Sequence, residues 1–347
     1  NIYGIKTLTY QEKRDILNSG IKPNFLILFA DDLGYGDVGF NGHPTIRTPN
    51  LDKWAYNGMK FTQWYSGFHV CSPSRAAMLT GRLCTRSGCC GNWNGGVFRQ
   101  NAKGGLPTNE TTYAEVLKKA GYATKAIGKW HLGVLPEFMP TSRGFDEYYG
   151  IPYSVDMGKS VWSQGGPFPP LPLMENDTVL EQPVDLSLLS GKYLKAATSF
   201  IEVNSKANKP WLLYFPLSHV HVPDYMSQSY CNSSIRGFFG DALTELDNLV
   251  GGVLQSLTQY GVANNTLTFF TSDNGPWLTQ KLAGGSAGLF RNGKQTTWEG
   301  GVREPGFVHW PGMIDGNTIS FEIVTTYDIF PTIINIANAT EYLPNDG

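Results

Sequence analysis

Two clusters of oxygen-bearing side chains each follow directly on an apolar run. Asp31 and Asp32 follow Phe25–Ala30 (FLILFA), and Ser272-Asp273-Asn274-Gly275 follows Leu267–Thr271. Adjacent carboxylates repel each other unless a cation lies between them, and oxygen ligands suit a hard ion such as Ca²⁺ or Mg²⁺. Taken singly, each cluster is also ordinary turn chemistry, because Asp and Asn abound after strands. If the two strands are neighbours, Asp31, Asp32, Asp273 and Asn274 converge on one point beyond their carboxyl ends, where open α/β sheets bind ligands.

Cys71-Ser72-Pro73-Ser74-Arg75 precedes Ala76, Ala77, Met78 and Leu79, with Gly81 beyond. Pro near the first turn and Gly past the end mark a helix. Cys71 then sits at a helix N-terminus, where backbone N–H groups and the dipole favour an anion. A lone cysteine is more often half of a disulfide or a structural thiol. The cysteines are Cys71, Cys84, Cys89, Cys90 and Cys231, an odd number. If Cys71 has another fate, the other four are available for disulfides, although adjacent Cys89 and Cys90 would strain a bridge between themselves.

The elements that must position these groups alternate between strand and helix. Phe25–Ala30 reads as a strand buried on both faces, Tyr122–Ile127 and Trp211–Leu217 as strands, and Leu267–Thr271 as a further buried strand. Thr48-Pro49 opens a short helix carrying Leu51, Trp54 and Ala55, and Gly58 closes it. Thr112 and Glu115 form a capping-box pattern ahead of Val116, Leu117 and Ala120, with Gly121 as the stop. Leu243, Leu246, Leu249, Val250, Val253, Leu254 and Leu257 share one stripe of a helix predicted from Asp241 to Tyr260. Ile329, Ile333, Ile334 and Ile336 predict a last helix after Tyr327. Strands separated by helices imply an α/β fold, a mostly parallel sheet covered on both faces. Gly165–Pro172 reads as a surface loop.

The 347 residues exceed the size at which one core stops growing, so one large domain with a small appendage is expected. A net charge of −2 gives no field that would draw nucleic acid or anionic membrane. The apolar runs are far shorter than the roughly 20 residues of a membrane span. The N-terminus lacks the regions of a signal peptide and reads as a mature or trimmed end. Sequons at Asn109, Asn176, Asn232, Asn264 and Asn338, with the spare cysteines, favour the secretory route, lysosomal or extracellular.

The stretches NFLILFADDLGYGD, CSPSRAAMLTGR, GKWHLG, GIPYS, TSDNGPW and GKQTTWEGGVREP carry a resemblance running from Pro23 to the chain end. In these motifs and their order the chain resembles type I sulfatases of the arylsulfatase A, arylsulfatase G and N-acetylgalactosamine-6-sulfatase group. That resemblance implies an alkaline-phosphatase-like sandwich and hydrolysis of aryl or carbohydrate sulfate monoesters. It divides the chain into an extension over 1–22 and a catalytic domain over 23–347, with relatives continuing into a smaller C-terminal domain.

The resemblance assigns roles residue by residue. Asp31, Asp32, Asp273 and Asn274 match the ligands of Ca²⁺, with Mg²⁺ the lesser alternative. Cys71 matches the position that a formylglycine-generating enzyme oxidises during export. Arg75 and Lys129 match groups holding the aldehyde hydrate and the sulfate, and His131 the histidine beside the hydrate. Ser154 matches a weaker contact, and His221 and Lys294 match groups on the substrate oxygen and sulfate. His219 is a nearby decoy, set aside because the motif places Pro two residues after its histidine, as Pro223 follows His221. The implied partners are a sulfated small molecule or carbohydrate and the modifying enzyme, and a homo-oligomer is compatible with all of this.

One departure is the short stretch from Met157-Gly158 to Trp162, where relatives usually carry a longer loop. Two competing functions are a phosphonate or phosphate monoester hydrolase of the same fold and a catalytically silent sulfate-binding protein. The joint presence of the matched polar residues argues against the silent scaffold, which has no physical need of them all.

Overall fold

Continuous apolar runs set the centre of the structure, a computed structural model that describes residues 8–91, 95–158 and 168–344. In chain order the strands are β1 (Asn24–Ala30), β2 (Met59–Tyr65), β3 (Ala123–Ile127), β4 (Glu147–Gly150) and β5 (Leu173–Glu175). They continue with β6 (Thr178–Glu181), β7 (Trp211–Pro216), β8 (Thr266–Ser272), β9 (Arg303–His309) and β10 (Thr318–Thr325). They form one ten-stranded sheet in the order β10-β2-β9-β8-β1-β7-β3-β4-β5-β6. The central run β8-β1-β7-β3-β4 is parallel throughout. Antiparallel pairings of β9 with β2 and β8, and of β5 with β4 and β6, flank it. Every residue of β1, β7 and β8 is buried; β1 and β7 accordingly carry long apolar runs, whereas β8 sets Thr266, Thr268, Thr271 and Ser272 among its apolar residues.

The helices are α1 (Tyr10–Asn18), α2 (Pro49–Tyr56), α3 (Cys71–Thr80), α4 (Cys84–Ser87), α5 (Tyr113–Lys119), α6 (Leu189–Lys206), α7 (Gly237–Gln259), α8 (Glu299–Val302) and α9 (Ile329–Ile336). Side chains alternate across a strand, and β1 accordingly feeds two cores. Leu26, Leu28 and Ala30 pack with α2, α6 and α7, whereas Phe25, Ile27 and Phe29 pack with α3, α5 and α9. The expected mostly parallel sheet with helices on both faces is what the structure shows.

The predicted central strands and the helices at 49, 113 and 329 are present within one or two residues. The long helix begins at Gly237 rather than Asp241. Asp241 does not start it, because its carboxylate accepts backbone N–H bonds from Asn232 and Ser234 and so caps the preceding loop. The N-terminal extension contains α1, opened by a Thr9–Glu12 capping box. Of the Gly165–Pro172 stretch, residues 168–172 carry no regular structure and 165–167 lie outside the described residues, as do 159–164 of the short stretch after Gly158.

Candidate active site

One edge of the sheet gathers the polar groups. Asp31 and Asp32 follow β1, Lys129 and His131 follow β3, Ser154 follows β4, His221 follows β7, and Asp273 and Asn274 follow β8. Because β9 is antiparallel to both β8 and β2, β2 runs with the central strands, and Cys71 at the start of α3 reaches the same edge. Lys294 reaches it from the segment that leads into β9. The backbone between strands is stitched: Asp31 N–H donates to His219 O at 2.9 Å, Lys129 N–H to Pro216 O at 2.8 Å, and Asp273 N–H to Ala30 O at 3.1 Å. Gly128 lies at φ +124°, and a Cβ there would sit 1.9 Å from Pro216 O, so only glycine lets β3 turn into Lys129.

Cys71 is 2% exposed. Its Sγ lies 3.5 Å from Lys129 Nζ, 3.5 Å from Lys294 Nζ and 3.6 Å from Asp31 Oδ1. Lys129 Nζ also donates to Asp31 Oδ2 at 2.6 Å and to Ser154 Oγ at 3.1 Å. Lys294 Nζ bridges both oxygens of Asp32 at 2.7 and 2.8 Å. Arg75, fully buried, donates Nε and Nη2 to Asp273 Oδ2 at 3.0 and 2.7 Å and lies 3.4 Å from Asp31 Oδ1.

The four expected metal ligands are brought together. Asp32 N–H donates to Asp273 Oδ1 at 3.1 Å, and Asn274 Nδ2 donates to Asp32 Oδ1 at 2.8 Å. Asn274 Oδ1 is buried without a partner. An orphaned amide oxygen among three buried carboxylates is a donor set that fits a hard divalent cation. Ligand atoms of Asp31, Asp32, Cys71 and His221 also lie within 4.8 Å of one another.

The field of this cluster moves its titrations. Burial pushes the Cys71 thiol well above its ordinary value, more than Lys129 and Lys294 lower it. Burial would also raise Asp31, but Lys129, His221 and Arg75 hold it below the usual carboxylate value. Burial, then Lys129 and Arg75, drive His131 well below the usual histidine value. Neither ring nitrogen of His131 has a hydrogen-bond partner, and its backbone is left-handed at φ 62°.

His221 and His131 both line a cavity of about 580 Å³ that opens on Cys71, together with Ser154, Trp277 and Lys294. His221 Nδ1 lies 2.7 Å from Val222 O, and its Nε2 lies 3.6 Å from Asp32 Oδ2 and 3.5 Å from Ser154 Oγ. His219 instead turns to Tyr225 O at 3.2 Å and Glu245 at 3.8 Å, away from the cavity. Sequence reasoning missed Asp156 and Trp277. Trp277 lies under Lys294, with Nζ 4.7 Å from its ring centroid. Asp156 lines the cavity; burial would raise its carboxyl, but the His221 charge and a Ser154 hydrogen bond hold it low. Both stand two or three residues beyond a residue the motifs did single out. The five sequon asparagines are all exposed.

Comparison with known proteins meets the same residues. The family model described as sulfatase matches residues 23–339. Arylsulfatase G of Homo sapiens is 44% identical, over 92% of this chain and 66% of its own length. Arylsulfatase A of Homo sapiens is 43% identical, over 93% of this chain and 65% of its own length. The chain thus spans just under two thirds of these relatives. Among solved structures, PsFucS1 sulfatase from Pseudoalteromonas sp. superposes with a TM-score of 0.82 at 29% identity, covering 99% of this chain and 77% of that one. With matched sequence spanning both flanks of the sheet and the loops at its polar edge, the chain belongs to the sulfatase family.

Proposed function

We propose that this chain hydrolyses sulfate monoesters, aryl or carbohydrate, using a formylglycine made from Cys71 and a divalent cation, Ca²⁺ in preference to Mg²⁺. The observation that carries this is the placement of two ammonium groups, Lys129 Nζ and Lys294 Nζ, each 3.5 Å from Cys71 Sγ at the floor of a polar cavity. The buried thiol is itself a poor nucleophile, because its raised pKa leaves little thiolate at neutral pH. Formylglycine as its hydrate supplies two hydroxyls on one carbon, one to attack sulfur and one whose deprotonation expels sulfate. The cation, held by Asp31, Asp32, Asp273 and Asn274, supplies Lewis-acid polarisation of oxygen.

The chain's own residues do the rest. Lys129 and Lys294 neutralise sulfate oxygens, and Arg75 fixes the carboxylates behind them. Neutral His131, with no partner on either nitrogen, is set to accept a proton. His221 donates Nδ1–H to Val222 O, which leaves Nε2 to carry the proton that the departing oxygen takes, with Lys294 as the second donor. Ser154 orients Lys129 and His221. The exposed sequons and the four further cysteines support the secretory pathway, lysosomal or extracellular.

The peptide containing Cys71, taken from protein made in a secretory host, is expected to carry the mass of formylglycine and no reactive thiol. Active protein retaining the thiol would remove this nucleophile. Rates on matched aryl sulfates and aryl phosphates address the ester: a preference for phosphate makes the chain a phosphomonoesterase of the same fold.

A further inference from the structure

Three cysteines stand close together between the helix that carries Cys71 and the wall of the cavity. Cys84 opens the one-turn helix α4, which Gly88 ends in a left-handed conformation at φ 74°. The N–H of Cys89 returns to Cys84 O at 3.0 Å, so the chain folds back on its own start. The side chains of Cys84 and Cys90 meet in hydrogen-bonding contact. Cys89 turns elsewhere, with its Sγ 3.9 Å from Ser87 O. Cys84 is 2% exposed, while Cys90 is only partly covered.

What lies beside this pair gives it a consequence for the site. A Cβ on Gly96 would lie 2.8 Å from Cys90 Cα and 2.8 Å from Pro73 Cγ, so Gly96 is wedged between Cys90 and the first turn of α3. Phe98 N–H donates to Ser72 Oγ at 3.1 Å, next to Cys71. Gly95, Val97, Arg99 and Gln100 line the cavity. The segment from Gly95 to Gln100 is thus held at one end by α3 and at the other by the turn containing Cys90.

We propose that Cys84 and Cys90 form a disulfide that fixes this wall of the substrate cavity. Glutathione disulfide, the oxidant of the secretory compartment, balances the step. The accessible Cys90, as thiolate, attacks one sulfur of glutathione disulfide and releases a glutathione thiolate. Cys84, deprotonated in turn, attacks the Cys90 sulfur and expels the second. Two protons and two electrons leave the pair, and one glutathione disulfide becomes two glutathiones. Cys89 is left out because a vicinal bridge is strained and its thiol faces Ser87 O. Cys71 is left out because Lys129, Lys294 and Asp31 surround its sulfur.

The oxidising compartment comes from the function proposed above, so the decisive experiment supplies the oxidant itself. Cleavage after Arg82, Arg86 and Arg99 separates the cysteines into peptides 83–86 and 87–99. Purified protein equilibrated with glutathione disulfide, blocked with iodoacetamide and digested with trypsin without reduction should yield these two peptides joined. Reduction should part them. Cys90→Ser should abolish the joined species and Cys89→Ser should retain it. Free peptides at a secretory ratio of glutathione disulfide to glutathione would overturn the proposal, as would a link that survives Cys90→Ser and is lost in Cys89→Ser. A protein that forms the link but turns over no sulfate ester would count against the catalytic reading and leave the disulfide intact. In an active protein, Cys90→Ser should raise KM more than it lowers kcat, since the wall touches substrate and not the reacting atoms.

Discussion

Charge at the floor of the cavity is matched side chain by side chain: Lys129 faces Asp31, Arg75 faces Asp273 and Lys294 faces Asp32. Removing one member of a buried pair costs more than the pair contributes, because the partner is left uncompensated. Arg75→Met, similar in length but neutral, should therefore lower unfolding free energy in urea by about 3–5 kcal/mol. A loss within the noise would show that Asp273 and Asp31 find other neutralisation. His221→Ala tests the proposed proton donor. A nitrophenolate leaves as a stable anion, whereas a sugar alkoxide needs the proton, within the ~10²–10⁴-fold typical of general acid catalysis. The variant should slow sugar sulfates far more than activated aryl sulfates. Equal losses across a graded series would move the acid role to Lys294. Residues to which no motif match assigns a role were the least legible part of the site. Asp156 and Trp277 earn their place only through the cavity, which no local spacing encodes.

Elements were legible in proportion to how much of their environment is local. The capping box of α5 is written in Thr112 and Glu115 and appears as drawn, with Glu115 N–H bonding Thr112 Oγ1 at 3.1 Å and Thr112 N–H bonding Glu115 Oε2 at 2.9 Å. Thr112 Oγ1 also donates to Arg143 O at 3.0 Å. Thr112→Ala should cost about 1–2 kcal/mol in chemical denaturation, and Thr112→Ser should recover most of it. If serine fails as badly as alanine, the methyl packing and not the cap carries the effect. The buried central strands were legible because both faces are apolar. β2 and β10 were not: β2 is mostly half-buried and shows neither an unbroken apolar run nor a clean alternation, and in β10 the alternating Ile319, Phe321 and Ile323 stand exposed at the sheet edge instead of entering a core. The 18-residue α6 was overlooked although Leu189, Tyr193, Ala197, Phe200 and Ile201 share a face, because Ser, Gly and Thr interrupt its pattern.

At the scale of the molecule, folding and acidity are linked through groups outside the reacting centre. Burial lifts the Asp37 carboxyl to about 7, more than the N–H groups of Ser286 and Gly34 lower it. The folded state thus binds this proton more tightly than the unfolded chain does. The resulting stability is fully present below the ordinary value of 3.8 and is lost as pH rises through about 7. Asp37→Asn, neutral throughout, should match the parent near about pH 4 and exceed it near about pH 8, by up to about 4 kcal/mol. His309 acts in the opposite sense. Burial lowers it to about 4, so its neutral form is undisturbed above 6.5 and its stability falls as pH drops from there. Parallel stability curves for parent and Asp37→Asn from acid to alkaline pH would show that the Asp37 proton is not held.

The near-complete enclosure of Cys71 also sets an order of events. Groups around its sulfur come from Asp31, Lys129 and Lys294, positions that lie far apart along the chain and meet only when the sheet is closed. If Cys71 is oxidised by a modifying enzyme, as proposed, that enzyme must reach a sulfur only 2% exposed in the folded chain. On that proposal, conversion competes with closure of the sheet, and a molecule that folds first keeps its thiol. Folded thiol-form protein offered the enzyme should stay unmodified, while the denatured chain should be converted; ready conversion of the folded form would mean that α3 opens far more easily than its burial implies.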